Sequence, residues 1–289
     1  MKVLCIGHAT YDIMINMGKY PIENTKNRVK NLLGCGGGQA CNASYLLGKW
    51  GIDTTFVGLV GNDSYGKYVK KELDSVSVDT RYLELKGKTT VSYIIVNSKN
   101  GSRTPLTYHS TDLTIEDINE DINPDIILLD GYEYKIASRL LDKYQNAISI
   151  LDAEKNTEEV INLGKKVDYV ICSKSFLEKF TNMKIDKDNV FMALDIAKKT
   201  FPNLIVTLEE YGCCYNNKII PSIKVKAVDS TGAGDIFHGA FVYGLTKKWD
   251  IEKILRFSNI AGAMSVTRLG SRNSVFDLKQ VEEVYNEFR

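Results

Sequence analysis

The chain has 289 residues and a formal net charge of +1, with 25% charged and 44% hydrophobic side chains; a large core fits this length, and no basic excess marks a nucleic-acid or membrane-surface binder. No apolar run approaches the roughly 20 residues that span a bilayer, and the first seven residues turn polar too soon for a signal peptide. The six cysteines are scattered without metal-ligand spacing, so a cytoplasmic chain with reduced thiols is expected.

Residues 2–7 read as a first buried strand. Residues 12–17 and 28–33 are strand-like with no helix between them. A second strand pair, 90–96 and 103–108, is joined by the turn-forming Ser98-Lys99-Asn100-Gly101. These two pairs interrupt an alternating chain, which predicts a small β-sheet lid inserted at about 12–34 and 88–109. Elsewhere strands and helices alternate. Helix-like 39–50, strand-like 54–60 and helix-like 65–75 come first. Strand 126–129 with helix 135–144 follows, then 147–151 with 157–165, 167–172 with 176–180, and helix 188–200 with strand 204–208. Residues 223–228 alternate apolar and charged like a half-buried strand, and helices are expected at 251–267 and 278–288. Repeated βα units with short apolar strands predict an α/β fold, a doubly wound, mostly parallel sheet with helices on both faces. No repeat or linker divides 1–289, so one domain is expected.

The stretch Asp229-Ser230-Thr231-Gly232-Ala233-Gly234-Asp235 lies between the strand-like 223–228 and an apolar stripe at helical spacing (Ile236, Phe237, Ala240, Phe241). Orphan N–H groups and the positive end of the helix dipole make such a turn an anion site, and glycines leave it open. Asp235 is then an odd neighbour for an anion; as a first-turn carboxylate favoured by the dipole it is worth about 0.3–1 kcal/mol. Both readings stand on these residues alone. A second glycine run, Gly36-Gly37-Gly38-Gln39-Ala40-Cys41-Asn42, opens another helix with neutral amides, which suit sugar hydroxyls better than phosphates. An N-cap with a flexible loop is the plainer alternative.

Together the two runs resemble the PfkB (ribokinase-like) family of carbohydrate kinases. Gly37-Gly38-x-x-x-Asn42 matches its first signature, Gly58-Leu59-Val60-Gly61-Asn62-Asp63-Ser64-Tyr65-Gly66 its usual follow-on, and residues 229–235 its second. The resemblance runs end to end. It implies ATP-dependent phosphorylation of a hydroxymethyl group on a small sugar, a ketose or pentose, on a ribokinase-like fold. Asp235 would be the base, and the backbone of Gly232, Ala233, Gly234 and Asp235 the anion hole. Asp12, Gly37, Gly38 and Asn42 would hold the sugar, with Arg103 closing over it from the lid. Thr207, Gly212 and Asn259 would line the nucleotide cleft, and Lys174 would meet its phosphates. Asp229, Thr231, Ser265, Gly270 and Ser274 match the loop that binds a monovalent cation, so K⁺ joins ATP and Mg²⁺ among the implied cofactors.

Many members carry Asn-x-x-Glu after the strand at 167–172, where it orders Mg²⁺; this chain has Ser173-Lys174-Ser175-Phe176. That departure, and the stretch from Ile95 to Thr104 containing Asn100-Gly101-x-Arg103-Thr104, look like ketohexokinase and favour a free ketose over a sugar phosphate. Alternatives are a nucleoside kinase of the same family and a catalytically silent sugar or nucleotide sensor, which the missing glutamate motivates. A homodimer through the lid would cover exposed sheet edges. His238, Trp50 and Trp249 are read as packing residues.

Overall fold

A computed structural model of the chain describes residues 1–29, 31–109, 115, 118–119, 121–186 and 189–288. From the amino end the elements are β1 (Val3–Ile6), β2 (Thr10–Met17), β3 (Leu32–Gly37), α1 (Gln39–Lys49), β4 (Thr54–Val60), α2 (Ser64–Ser75), β5 (Asp79–Leu85), β6 (Thr90–Asn97) and β7 (Arg103–Tyr108). Strands and helices then alternate through β8 (Ile126–Leu129), α3 (Tyr134–Lys143), β9 (Ile148–Ala153), α4 (Glu158–Gly164), β10 (Tyr169–Ser173), α5 (Lys174–Thr181), α6 (Val190–Lys198) and β11 (Leu204–Thr207). A hairpin of β12 (Cys213–Tyr215) and β13 (Lys218–Ile220) precedes α7 (Ala233–Thr246), α8 (Ile251–Ser265) and α9 (Leu278–Glu287).

The main sheet has nine strands in the order β13-β12-β11-β10-β9-β8-β1-β4-β5. Every pair from β5 to β11 is parallel, and the β12–β13 hairpin adds antiparallel at one edge. Successive residues of the central strands enter opposite cores. Val3, Cys5, Ile126 and Leu128 join the cluster under α1, α7 and α8, while Leu4, Ile6, Ile127 and Leu129 join the one under α3 to α6. Burial on both faces is why these strands read as unbroken apolar runs. Trp50 packs edge-on against Tyr243 and Phe257 in the first cluster, the packing role expected of it. Each such large apolar side chain contributes about 1.5–3 kcal/mol by leaving water.

The lid is a separate four-stranded sheet, β3-β2-β6-β7. Its β2–β6 pair is parallel and the two outer pairs antiparallel. Met14, Cys35, Ile94 and Val96 give it a small core of its own, and β7 is exposed throughout.

Three sequence expectations shift. The strand expected at 28–33 is found at Leu32–Gly37, with its glycine half buried and Leu32 exposed. The side chains of β2 lie across that half: a Cβ at Gly34 would strike the Tyr11 hydroxyl, and one at Gly37 the Asp12 carboxylate. Residues 223–228 form no strand; their chain ends on Val228, whose N–H donates to the Val266 carbonyl. Strands β5, β12 and β13 were not anticipated. The β12–β13 turn uses Asn216 and Asn217 at φ 46° and 57°, a hairpin signal that is legible in hindsight.

Candidate functional site

The turn before α7 is built around a buried carboxylate. Asp229 Oδ1 accepts from the Thr231 N–H (2.9 Å) and hydroxyl (2.6 Å), and Oδ2 from the Gly270 N–H (2.8 Å). Gly232 then caps α7 at φ 79°, a conformation that L side chains resist. A Cβ there would lie 2.7 Å from Ser271 Cβ, whereas one at Gly234 would meet nothing within 4 Å. The Ala233 N–H donates to the Ser230 carbonyl at 3.4 Å, and the first turn of α7 opens to space at Gly234, with half-buried Asp235 beside it. His238, one turn further, is 2.6 Å from the Gly234 carbonyl through Nδ1 and 3.3 Å from Asp152. Burial lowers its pKa, so it braces the turn as the packed histidine expected from sequence.

The second glycine run meets this turn directly: Asn42 on α1 donates from Nδ2 to Asp235 Oδ2 at 2.7 Å. Gly38 caps α1 at φ 95°, where any Cβ would strike the His8 carbonyl. Asp12 is 6% exposed and accepts from the Thr10 hydroxyl at 2.8 Å. Burial pushes its carboxyl up to about 6, against the lowering pull of Thr10, His8 and Arg272. Asp12, Gly37, Gly38, Asn42 and Asp235 thus form one contiguous surface.

Sequence reasoning missed its other half. His8 and Asp130 face each other at the carboxyl ends of β1 and β8, where the strand order reverses. Asp130 Oδ2 accepts from the His8 N–H (3.1 Å) and the Ala40 N–H (3.3 Å) and is 3.0 Å from His8 Nδ1. Burial alone would lower the His8 pKa, but the Asp130 carboxylate outweighs it and holds the imidazole above its ordinary value. Tyr132 stacks on His8 with ring centroids 3.7 Å apart. In open α/β sheets ligands sit outside the carboxyl ends of the strands at such a switch point. A polar residue ending a predicted buried strand was the signal available for His8, Asp130 and Asp152. Arg272, buried behind Asn42 and donating to its Oδ1 at 3.2 Å, carried no signal of that kind.

The residues assigned to the nucleotide form a second group. Thr207 ends β11, its hydroxyl donating to the Cys172 carbonyl at 3.3 Å. Gly212 stands at φ 99°, with the Ile220 carbonyl where a Cβ would go. Asn259 donates from Nδ2 to that same carbonyl at 2.8 Å, so these residues share one wall at the β11–β13 edge. Lys174 is the first residue of α5, which Ser173 caps. Arg103 reaches from the lid to the turn before α7, Nη1 donating to the Ser230 carbonyl at 2.5 Å. Among the cation-loop candidates, Ser265 and Ser274 spend their hydroxyls on the Gly262 and Ser271 carbonyls, each at 2.7 Å. Gly270 at φ 86° lies under Leu33 and Met14 of the lid. The described residues include no group of three His, Cys, Asp or Glu that could hold a metal ion, and no helix long and apolar enough to cross a membrane.

Residues 1–277 match the pfkB family carbohydrate kinase model. The chain is 26% identical to the ribokinase of Staphylococcus aureus over 98% of its length and 99% of the relative's. It is 26% identical to the deoxyribokinase of Salmonella typhi over 98% of both. Arabidopsis thaliana ribokinase complexed with ribose and ATP superposes with a TM-score of 0.82 over 98% of each chain, at 21% identity, and shares the fold.

Proposed function

The chain belongs to the pfkB family of carbohydrate kinases and is an ATP-dependent kinase, and we propose that it phosphorylates a hydroxymethyl group of a small, free sugar of the pentose or ketose class. The observation that carries this reading is the 2.7 Å hydrogen bond from Asn42 to Asp235, which makes the sugar loop and the anion turn one site. Relatives named ribokinase and deoxyribokinase, each 26% identical over nearly the whole chain, support taking pentoses as the leading candidates.

The chemistry follows from the arrangement. Asp12 and Asn42 hold sugar hydroxyls, leaving the reacting hydroxymethyl group against Asp235. Asp235 takes the hydroxyl proton as the oxygen bonds to the terminal phosphorus and the bond to ADP breaks. The N–H groups of residues 232–235 receive the equatorial phosphoryl oxygens, each charge-assisted bond contributing roughly 1.5–3 kcal/mol. A carboxylate beside an anion hole, unfavourable for simple anion binding, is what a phosphoryl acceptor requires. Thr207, Gly212 and Asn259 line the nucleotide side, with Lys174 near the phosphates. Mg²⁺ would travel on those phosphates, its common habit, because the usual glutamate position holds Phe176 and no acidic cage stands among the described residues. Asp229 uses both carboxylate oxygens to shape its loop, so a K⁺ ion there would be held by backbone carbonyls.

The test is sugar-dependent ADP formation across ribose, deoxyribose, fructose, 2-keto-3-deoxygluconate, hexose phosphates and adenosine, for the native chain and Asp235→Asn. A free sugar is expected to lead, and Asp235→Asn to lose about 100-fold or more of kcat. Adenosine above every sugar would make this a nucleoside kinase instead. Calorimetric binding of sugar and nucleotide without turnover would make it a sensor.

A further inference from the structure

The acceptor loop contains a buried cation that the phosphoryl-transfer chemistry does not use. Arg272, 3% exposed, follows α8 and reaches behind the glycine loop. Its Nη2 lies 2.9 Å from Cys41 Sγ, its Nε donates to Asn42 Oδ1 at 3.2 Å, and its carbon lies 4.8 Å from the ring centre of Tyr45. Glu72, which accepts from the Gly36 N–H at 2.6 Å, is the carboxylate beside it, 3.7 Å from Nη1. Nη1 itself is buried without a hydrogen bond. The loop is shaped around this group: a Cβ at Gly36 would stand 2.6 Å from Arg272 Nη2. As packing this is a poor choice, since an apolar side chain would fill the space without desolvating a guanidinium. Its value lies elsewhere.

A carboxamide has a donor end and an acceptor end, and packing barely distinguishes them. A guanidinium has donors only. Placed against Asn42, it admits only the amide orientation with Oδ1 toward Arg272 and Nδ2 toward Asp235. We infer that Arg272 is a positioning residue: by fixing the Asn42 amide, it keeps one oxygen of Asp235 occupied and the other free for the acceptor hydroxyl. This rests on the reading of Asp235 as the base. Without Arg272 the buried Asn42 Oδ1 loses its donor, and the amide is free to swing off Asp235 toward another partner, which strips that carboxylate oxygen of its Nδ2 hydrogen bond. The base then leaves its working position, while Asp12 and the backbone of the glycine loop still hold the sugar.

The test is a double-mutant cycle in the full-length kinase on its best sugar. Arg272→Met is combined with Glu72→Gln so that no lone carboxylate stays buried, and Arg272→Lys keeps a donor-only group. Thermal unfolding establishes that each variant is folded. The Met variant should lose about tenfold or more in kcat, with a much smaller change in the sugar KM, and Arg272→Lys should recover most of it. In an Asn42→Ala background the Met change should cost little more, because the group it orients is gone. Multiplying losses in the cycle, or a Met variant with native kcat, would overturn the inference. So would equal losses for Lys and Met, which point to packing alone. Asp235→Asn separates the two failures: retained activity there removes the base itself, whereas lost activity there with native kcat in the Met variant removes only the role of Arg272.

Discussion

Gly232 and Gly234 look interchangeable in the sequence, yet alanine at each should have opposite consequences. Gly232 sits at φ 79°, and its Cβ would stand 2.7 Å from Ser271 Cβ. The left-handed backbone costs a non-glycine residue roughly 1–2 kcal/mol, and overpacking against Ser271 adds about 1–3 kcal/mol. Gly232→Ala should therefore destabilise the fold by about 2–5 kcal/mol, read as a lower urea midpoint at unchanged m-value. Gly234 lies within the first turn of α7, and its Cβ would meet nothing within 4 Å. There alanine should stabilise by about 0.5 kcal/mol through a less flexible unfolded chain and a better helix. Its methyl group, however, would stand over the N–H groups assigned to the phosphoryl oxygens. A displacement of the transferred group by about 1 Å costs on the order of 100-fold in rate. The expected pair is a weakened Gly232→Ala enzyme and a well-folded, nearly inactive Gly234→Ala enzyme, measured by urea unfolding and by sugar-dependent ADP formation. A stable Gly234→Ala variant with activity within a few-fold of native refutes the anion-hole assignment.

Asp12→Asn should exchange stability against function. Burial holds the Asp12 carboxyl at about 6, above its unfolded value, so its contribution is fully present below about pH 4 and is lost as pH rises through 6; at pH 7.5 the ionised group costs roughly 3 kcal/mol. The amide should raise the unfolding temperature at pH 7.5 but not at pH 4, while weakening sugar binding; a variant no more stable than native at pH 7.5 contradicts the burial argument. Asp63 is expected to behave in the opposite sense. Burial raises its pKa, but hydrogen bonds from the Thr89 hydroxyl (2.6 Å), the Thr89 N–H (2.8 Å) and the Gly66 N–H (2.9 Å) outweigh burial and hold it below the usual range. Its stabilisation is present above the ordinary carboxyl value near 4 and fades as pH falls through the lower folded value. Asp63→Ala should cost about 2 kcal/mol at pH 7, with the gap to native closing in acid; a constant gap would mean that the carboxylate charge is irrelevant. Finally, the exposed lid strand β7 carries Leu106 and Tyr108 at 57% and 59% exposure, an unpaired edge suited to a second copy of the chain. If the lids pair, light scattering should show a dimer that Leu106→Asp converts to monomer; a native monomer at every concentration removes the proposal.

Much of this was legible because the sequence signals are local and physical. The βα alternation, the lid strands and the helix starts at Gly38 and Gly232 follow from periodicity and from residues that tolerate positive φ. The glycine-rich follow-on at 58–66 could be matched by pattern, but only the structure shows its purpose. Asp63 caps α2 and accepts from Thr89, the residue just before β6 enters the lid, and a Cβ at Gly61 or Gly66 would invade that junction. The motif is thus a joint between lid and core, and its glycines mark where backbone must approach backbone. What stayed hidden depends on meetings between distant segments. Nothing near Arg272 announces that it lies behind Asn42, 230 residues earlier, and nothing around Asp130 shows that it receives the Ala40 N–H in the first turn of α1. The two halves of the site differ for the same reason. An anion hole is made of backbone, so the glycines that expose it can be read in one dimension. A sugar pocket is made of side chains from the ends of several strands, and strand order decides which of them meet. His8 and Asp130 became neighbours only because β1 and β8 lie side by side where the sheet reverses its order. Substrate choice should therefore follow the residues at that reversal more closely than the two glycine signatures. On the proposed reading the turn at 229–235 serves the phosphoryl group, and Asn42 together with the strand ends serves the acceptor.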